Sequence, residues 1–135
     1  MYDRYHDRAA FFVVYIREAH PSNAWQMAVN VRQNVVFTDP KTSEERTAVA
    51  ESCVRKLNIR IPALIDSVDD KIEAAYTGWP DRLYIIDAQG RVAYKSAPGP
   101  FGFKPKDMES VLSGLSAQNV TSPSSQLWYV VVEPC

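Results

Sequence analysis

The 135-residue chain reads as a single α/β domain, and three features of its sequence predict this. Phe11-Phe12-Val13-Val14-Tyr15-Ile16 is an unbroken run of apolar, β-branched and aromatic residues. That is the composition of a strand buried on both faces, as in a parallel sheet. Thr42-Ser43-Glu44-Glu45 is a capping box, in which Thr42 accepts from the N3 amide and Glu45 reaches back to the cap, so a helix starts there. The predicted elements then follow the order β-α-β-α-β-β-α with an apolar tail, an alternation that layers helices on a sheet.

The first strand covers residues 10–17 and breaks into Glu18-Ala19-His20-Pro21, a polar turn at its carboxyl end. In open α/β sheets that end is where ligands and chemistry collect. Residues 21–36 read as a loop or short helical turn, with Trp25, Met27 and Val29 as its anchor. The helix after Thr42 carries Val49, Cys53, Val54 and Leu57 on one face, and Asn58 suits the position just past its end. Residues 59–66 form a short strand. Pro62 near its start, with no amide to donate, argues for an edge or a first position. A second helix starts in Ser67-Val68-Asp69-Asp70, turns Ile72 and Tyr76 inward and ends at Gly78. Pro80 precedes a strand over residues 82–87, and the turn Ala88-Gln89-Gly90 returns the chain as a hairpin over 91–95. A Pro/Gly-rich loop leads to Lys104-Pro105, where proline suits the first helical position; Met108, Val111, Leu112 and Leu115 form the buried stripe that follows. Residues 1–115 are expected to be the domain body, 116–126 a polar, Ser-rich linker, and 127–135 an apolar tail of strand character in Leu127-Trp128-Tyr129-Val130-Val131-Val132.

Composition narrows the function classes. With 46% hydrophobic and 23% charged residues the chain can bury a modest core. A net charge of −1 with mixed signs gives no footprint for nucleic acid or an anionic membrane surface. No apolar run approaches the ~20 residues that span a bilayer. The charged residues 1–8 are unlike a signal peptide, so a soluble, cytoplasmic protein is expected. The two cysteines, Cys53 and Cys135, form no CxxC, metal spacing or disulfide framework. Cys53 reads as a small buried hydrophobe on its helix.

Three blocks carry a family resemblance. VYIREAHPSNAW, ending at Trp25, resembles the VYI-x-EAH-x-S-D-G-W segment of the iodothyronine deiodinases, thioredoxin-fold reductases that usually carry selenocysteine or cysteine. Residues 76–87, YTGWPDRLYIID, resemble a later strand of that family. Gly90-Arg91-Val92-Ala93-Tyr94-Lys95 with Gly99-Pro100 resembles its hairpin and following loop. The resemblance implies a thioredoxin-like mixed sheet flanked by helices, entered partway through its first helix. The N-terminal βα unit, which bears the reactive residue, is then expected to be missing upstream of Met1, along with any membrane anchor. In that arrangement the missing strand runs between the strand of residues 10–17 and that of 82–87. The gap would leave two rows of unpaired backbone groups, with three outcomes: a fragment that folds poorly, a strand supplied by another chain, or the tail at residues 127–132 folded back into the gap. An unfilled gap would favour a homodimer.

The site residues follow from the same blocks. His20, at a strand's carboxyl end, can exchange protons near neutral pH, and the matching family histidine lies beside the reactive selenium or sulfur. The alternative is a histidine that hydrogen-bonds its own turn. Glu18 is expected to orient or charge that imidazole, or else to be a solvated carboxylate. Trp25 and Trp79 could wall a pocket for an aromatic ligand, although tryptophan is more often plain core. Pro80 matches the position where thioredoxin-like folds often hold a cis proline facing the reactive cysteine, and Asp81 matches an acidic family position. Asn23-Ala24 stands where the family has Asp-Gly, which predicts a reshaped turn. The stretch 30–34 holds Arg32 but no histidine. The implied protein is an oxidoreductase of small aromatic or disulfide substrates, with no bound cofactor and a thiol reductant of thioredoxin or glutathione type as co-substrate. No cysteine stands in the turn directly after the first strand, where the resemblance would place the reactive residue, so this chain is expected to be inactive. The alternatives are a non-catalytic binding module or a gene fragment without a function of its own.

Overall fold

A computed structural model describes residues 1–24, 28–34, 36–118 and 127–132. Its elements are α1 (Tyr2–Tyr5), β1 (Ala9–Tyr15), α2 (Ala28–Gln33), α3 (Ser43–Lys56), β2 (Ala63–Ile65), α4 (Lys71–Tyr76), β3 (Arg82–Ile86), β4 (Val92–Lys95), α5 (Pro105–Gln118) and β5 (Leu127–Val132). The strands form one mixed sheet in the order β2-β1-β5-β3-β4. The β3–β4 hairpin is joined by a tight turn, where Gly90 takes φ +77° and the Asp87 carboxylate accepts from the Gln89 and Arg91 amides. The turn chemistry that sequence reading placed at residues 88–90 is therefore what closes it.

Helices cover both faces of the sheet. Side chains alternate along a strand, so Ala9, Phe11 and Tyr15 of β1 share one face while Val14 and Ile16 share the other. On the first face, Phe11, Leu83 and Ile85 pack with Tyr5 of α1 and with Met108 and Leu112 of α5. Tyr15 on that face receives Ala50 and Cys53 of α3. On the second face Val14 and Ile16 meet Ile72 of α4. β1 is thus buried on both sides, as its unbroken apolar run predicted. β2 lies at the edge, and the carbonyl of Pro62 before it accepts from the Val13 amide (2.9 Å). An α/β sheet covered by helices, with an antiparallel hairpin followed by the long helix α5, is a thioredoxin-like arrangement in which no strand precedes the first helix.

The place of that strand is taken by β5. It lies parallel to β1 over six residue pairs, from Ala9↔Leu127 to Val14↔Val132, and antiparallel to β3 over five, from Arg82↔Val132 to Ile86↔Trp128. Both backbone edges that the sequence left open are therefore paired within the chain. Residues 116–118, read as the start of a linker, belong to α5, which continues through Gln118, and residues 119–126 lie outside the described residues.

Several local expectations are corrected. Thr42 Oγ1 accepts from the Glu45 amide (3.2 Å), but the Glu45 carboxylate returns to the Lys41 amide (2.7 Å), one residue before the cap. The buried stripe of α3 is Arg46, Ala50 and Cys53, and Leu57 is exposed. The left-handed residue after α4 is Thr77 (φ +50°) rather than Gly78. Cys53 is buried as expected, yet it is disulfide-bonded, so no described cysteine is a free thiol. Cys135 lies outside the described residues.

Candidate functional site

Strand direction gathers the candidate residues at one end of the sheet. β2 and β5 run parallel to β1, and β3 runs against β5, so the carboxyl end of β1 and the start of β3 lie together. The register fixes this: Val14, Val132 and Arg82 sit side by side across three strands. Glu18 and His20 follow β1 at this end, and Trp79, Pro80 and Asp81 precede β3 there. The Arg17 guanidinium stacks over the Trp79 ring, 5.4 Å from its centroid, and bridges the two segments. The Trp79–Pro80 bond is cis, as its position in the fold suggested, and Gly99–Pro100 is cis as well.

Glu18 is the most perturbed group of the site. Its residue is only 6% exposed, and its carboxylate accepts a hydrogen bond from the Tyr15 hydroxyl. Burial, reinforced by the nearby Asp39 carboxylate and opposed by the Arg46 guanidinium, pushes its pKa up to about 8. Glu18 is therefore mostly protonated at neutral pH and can donate a proton as well as accept one. The expectation of a solvated carboxylate is excluded. His20 is half-buried in the turn that follows. The Pro21–Ala24 turn closes with the Ala24 amide on the Pro21 carbonyl (2.9 Å).

The opposite wall is set by α4 and the hairpin. The Tyr84 hydroxyl donates to the Tyr76 carbonyl, and Lys95 Nζ donates to Thr77 Oγ1 (2.8 Å). These bonds fix the end of α4 and hence the approach to Trp79, a residue 43% exposed. Asp81 packs against the backbone of the Gly99 loop, whose amide donates to the Asp81 carbonyl (3.1 Å). Its Oδ1 is buried without a hydrogen-bond partner among the described residues. Burial raises its pKa, against the pull of Arg82 and the Gly99 amide. Gly99 is needed for this approach: a Cβ there would lie 1.8 Å from Asp81 Oδ1. Gly99→Ala is expected to destabilise the fold by about 1–3 kcal/mol, the range for overpacking, and Asp81→Ala should relieve most of that cost in the double mutant. Thermal denaturation of the four-member cycle reads the coupling.

Sequence reading missed three members of this region. Tyr15 was assigned to the strand only, although its hydroxyl serves Glu18. Arg46 is 2% exposed, donates to the Ser67 carbonyl (2.5 Å) and pairs with Asp70 (2.9 Å). Asp66, equally buried, accepts from the Ile72 and Glu73 amides (2.9 and 2.8 Å). Spacing held a signal for Arg46, since it lies four and seven residues before Ala50 and Cys53 on one helical stripe. Trp25 lies outside the described residues, so the aromatic wall rests on Trp79. A cavity of about 350 Å³ lined by Tyr2, Val13, Ile61, Leu83 and Phe103, among others, opens over the middle of the sheet; none of the candidate residues lines it. Among the described residues no cluster of His, Cys, Asp and Glu could hold a metal ion, and no helix is long and apolar enough to cross a membrane.

The helix-covered mixed sheet, its antiparallel hairpin and the cis proline before β3 make this a thioredoxin-like arrangement. The chain belongs to the iodothyronine deiodinase family, whose model matches residues 1–116. It is 31% identical over 104 residues to the type I iodothyronine deiodinase of Xenopus laevis, covering 77% of this chain and 39% of that protein. It is 32% identical over 108 residues to the thyroxine 5-deiodinase of Gallus gallus, covering 78% and 39%. The type II iodothyronine deiodinase of Petromyzon marinus is 33% identical over 114 residues, covering 81% and 37%. The chain thus spans under two-fifths of the length of these relatives.

Proposed function

We propose that this chain forms the proton-handling and substrate-facing wall of a deiodinase-like thiol or selenol oxidoreductase, and that it does not turn over by itself. The observation that carries this reading is Glu18: a buried carboxyl held near neutral titration, two residues before His20 and across the sheet end from Trp79–Pro80. In this reading Glu18 and His20 are the catalytic groups, exchanging the proton that accompanies attack on, or departure from, the reacting atom. Trp79, Pro80 and Asp81 bind the substrate, an iodinated aromatic or a small disulfide, through the half-exposed indole and the cis-proline edge. The nucleophile is a thiolate or selenolate that this sequence does not place after β1, and a cytoplasmic thiol of thioredoxin or glutathione type would reset it. Residues 1–115 act as the body of the domain and the tail as its strand donor.

A binding module without catalysis is the second reading, and β5 favours it. The sheet is complete between β1 and β3 without a strand that bears a nucleophile. The test separates the two properties. With dithiothreitol as reductant, deiodination of an iodinated phenol and reduction of a small disulfide are expected at background rate. The same phenol is expected to quench tryptophan fluorescence, and Trp79→Phe to remove that quench. Turnover above background overturns the inactivity, and an unchanged quench in Trp79→Phe overturns the binding wall.

A further inference from the structure

We propose that Cys53 and Cys135 form a reversible redox site, a disulfide that latches the central strand β5 into the sheet. Cys53 is disulfide-bonded, and the sequence holds one other cysteine, Cys135, so the pairing follows by count. Cys53 lies on α3, is 1% exposed and packs with Tyr15 and Ala50. Tyr15 follows Val14 along β1, and Val132, where β5 ends, lies beside Val14. Cys53 and the end of β5 are therefore gathered at the same end of the sheet. Cys135 is three residues beyond Val132, and three residues reach about 10 Å. That is enough to cross from a strand to a helix packed on its neighbour and to bring the two Cα atoms to the roughly 5.5–6 Å that a disulfide needs.

The bond acts on the strand that completes the sheet. β5 is paired on both sides, with β1 and with β3, and it reaches its slot only by returning from α5, which ends at Gln118. With the bond closed, β5 is tethered at both ends, through the backbone to α5 and through sulfur to α3. The loop so closed is about 80 residues long, and a bond across so long a loop removes much of the freedom of the unfolded chain. With the bond open, hydrogen bonds and packing alone hold the strand. A dithiol reductant of thioredoxin type opens it by ordinary exchange. Its thiolate attacks the Cys135 sulfur, because Cys53 is buried; the S–S bond breaks, and Cys53 leaves as a thiolate and takes a proton. The second thiol of the reductant then closes its own disulfide and releases Cys135 as a thiol. Two electrons and two protons thus pass from the reductant to the chain. With oxidised glutathione as the electron acceptor, the same steps in reverse close the latch.

The test reads linkage, stability and strand exchange in the full chain, so its outcome is independent of any activity of Glu18 or His20. After equilibration with oxidised glutathione, trypsin digestion without reduction is expected to give residues 47–55 joined to residues 107–135. Dithiothreitol is expected to separate the two peptides and to lower the Tm of the folded chain by about 10–20 °C. Cys135→Ser should melt with the reduced parent and no longer respond to the reductant. Should that variant fail to fold, the parent gives a second reading: a labelled peptide of residues 121–132, which lacks cysteine, is expected to enter the reduced chain faster than the oxidised chain by about tenfold or more. Peptides that join two copies of Cys53 or two of Cys135, a bond that the folded chain keeps in dithiothreitol, a Tm unmoved by reduction, a Cys135→Ser chain that melts with the oxidised parent, or equal entry of the peptide into both states would overturn the proposal.

Discussion

A chain ended after Gln118 is expected to lose its cooperative fold. β5 is the central strand, hydrogen-bonded to β1 over six residue pairs and to β3 over five. Without it β1 and β3 face each other across two strand spacings, about 10 Å, too far for any backbone hydrogen bond. Each buried amide or carbonyl left unpaired costs about 1–3 kcal/mol. A handful of them exceeds the whole stability of a small domain, about 5–15 kcal/mol. The expected result is a truncated chain with no sharp thermal transition and a tendency to associate through its open strand edges. A synthetic peptide of residues 121–135 added in trans should restore the transition, because the slot and the strand remain complementary. A truncated chain that melts within a few degrees of the parent would show that the sheet does not depend on β5.

The second large effect is expected from Glu18→Gln, and it is a function of pH. The pKa of Glu18 in the fold is about 8, against an ordinary value of 4.5. Below 4.5 both the folded and unfolded chains hold the proton. Between 4.5 and 8 the folded chain keeps a proton that the unfolded chain releases, so stability falls as pH rises, by up to about 1.4 kcal/mol per pH unit. Above 8 the loss is complete, on the order of 3–5 kcal/mol. Glutamine keeps the shape and can still accept from the Tyr15 hydroxyl, but it never ionises. Glu18→Gln should therefore match the parent near pH 5 and exceed it at pH 8.5, by roughly 5–20 °C in Tm for a domain of this size. Asp81, also raised, should leave a smaller slope of the same sign in the variant. Asp69 and Asp87, both lowered, act below pH 4 and with the opposite sign, so they do not mask the window. Thermal melts of the two proteins from pH 5 to 8.5 decide it. A parent whose Tm is flat over that range, or a variant less stable at pH 8.5, would sink the account of Glu18.

Features legible in the sequence were those fixed by local chemistry or by counting strands. The run 11–16, the Thr42 cap and the turn at Gly90 each rest on a few adjacent residues, and each is present. The place of β5 was legible only as one of three outcomes: a thioredoxin-like order one strand short leaves one slot, and the structure, not the sequence, shows that Leu127–Val132 fills it. The site was legible in its backbone frame, with Glu18 and His20 at the end of β1 and a cis Trp79–Pro80 opposite. Its electrostatics were not. The charge state of Glu18 depends first on its burial by the folded chain and then on Asp39 and Arg46, 21 and 28 positions away, and no periodicity links them. Arg46 was hidden because a charged residue on a helix is read as solvated until its partners are known, and those partners are backbone carbonyls and Asp70 on the next turn. The left-handed conformation fell on Thr77 rather than Gly78 because the Gly78 amide is engaged with the Glu73 carbonyl (2.9 Å), so the preceding residue makes the turn.

The position of β5 also dictates when the molecule can exist during synthesis. Every other described element is translated before residues 127–132, yet none of β1, β3 and their covering helices can settle until those six residues leave the ribosome and thread between two strands more than 40 positions upstream. Contacts this distant in sequence slow folding and lengthen the time that sticky edges stay open. The nascent chain should therefore be a client of holding chaperones up to the moment the central strand arrives.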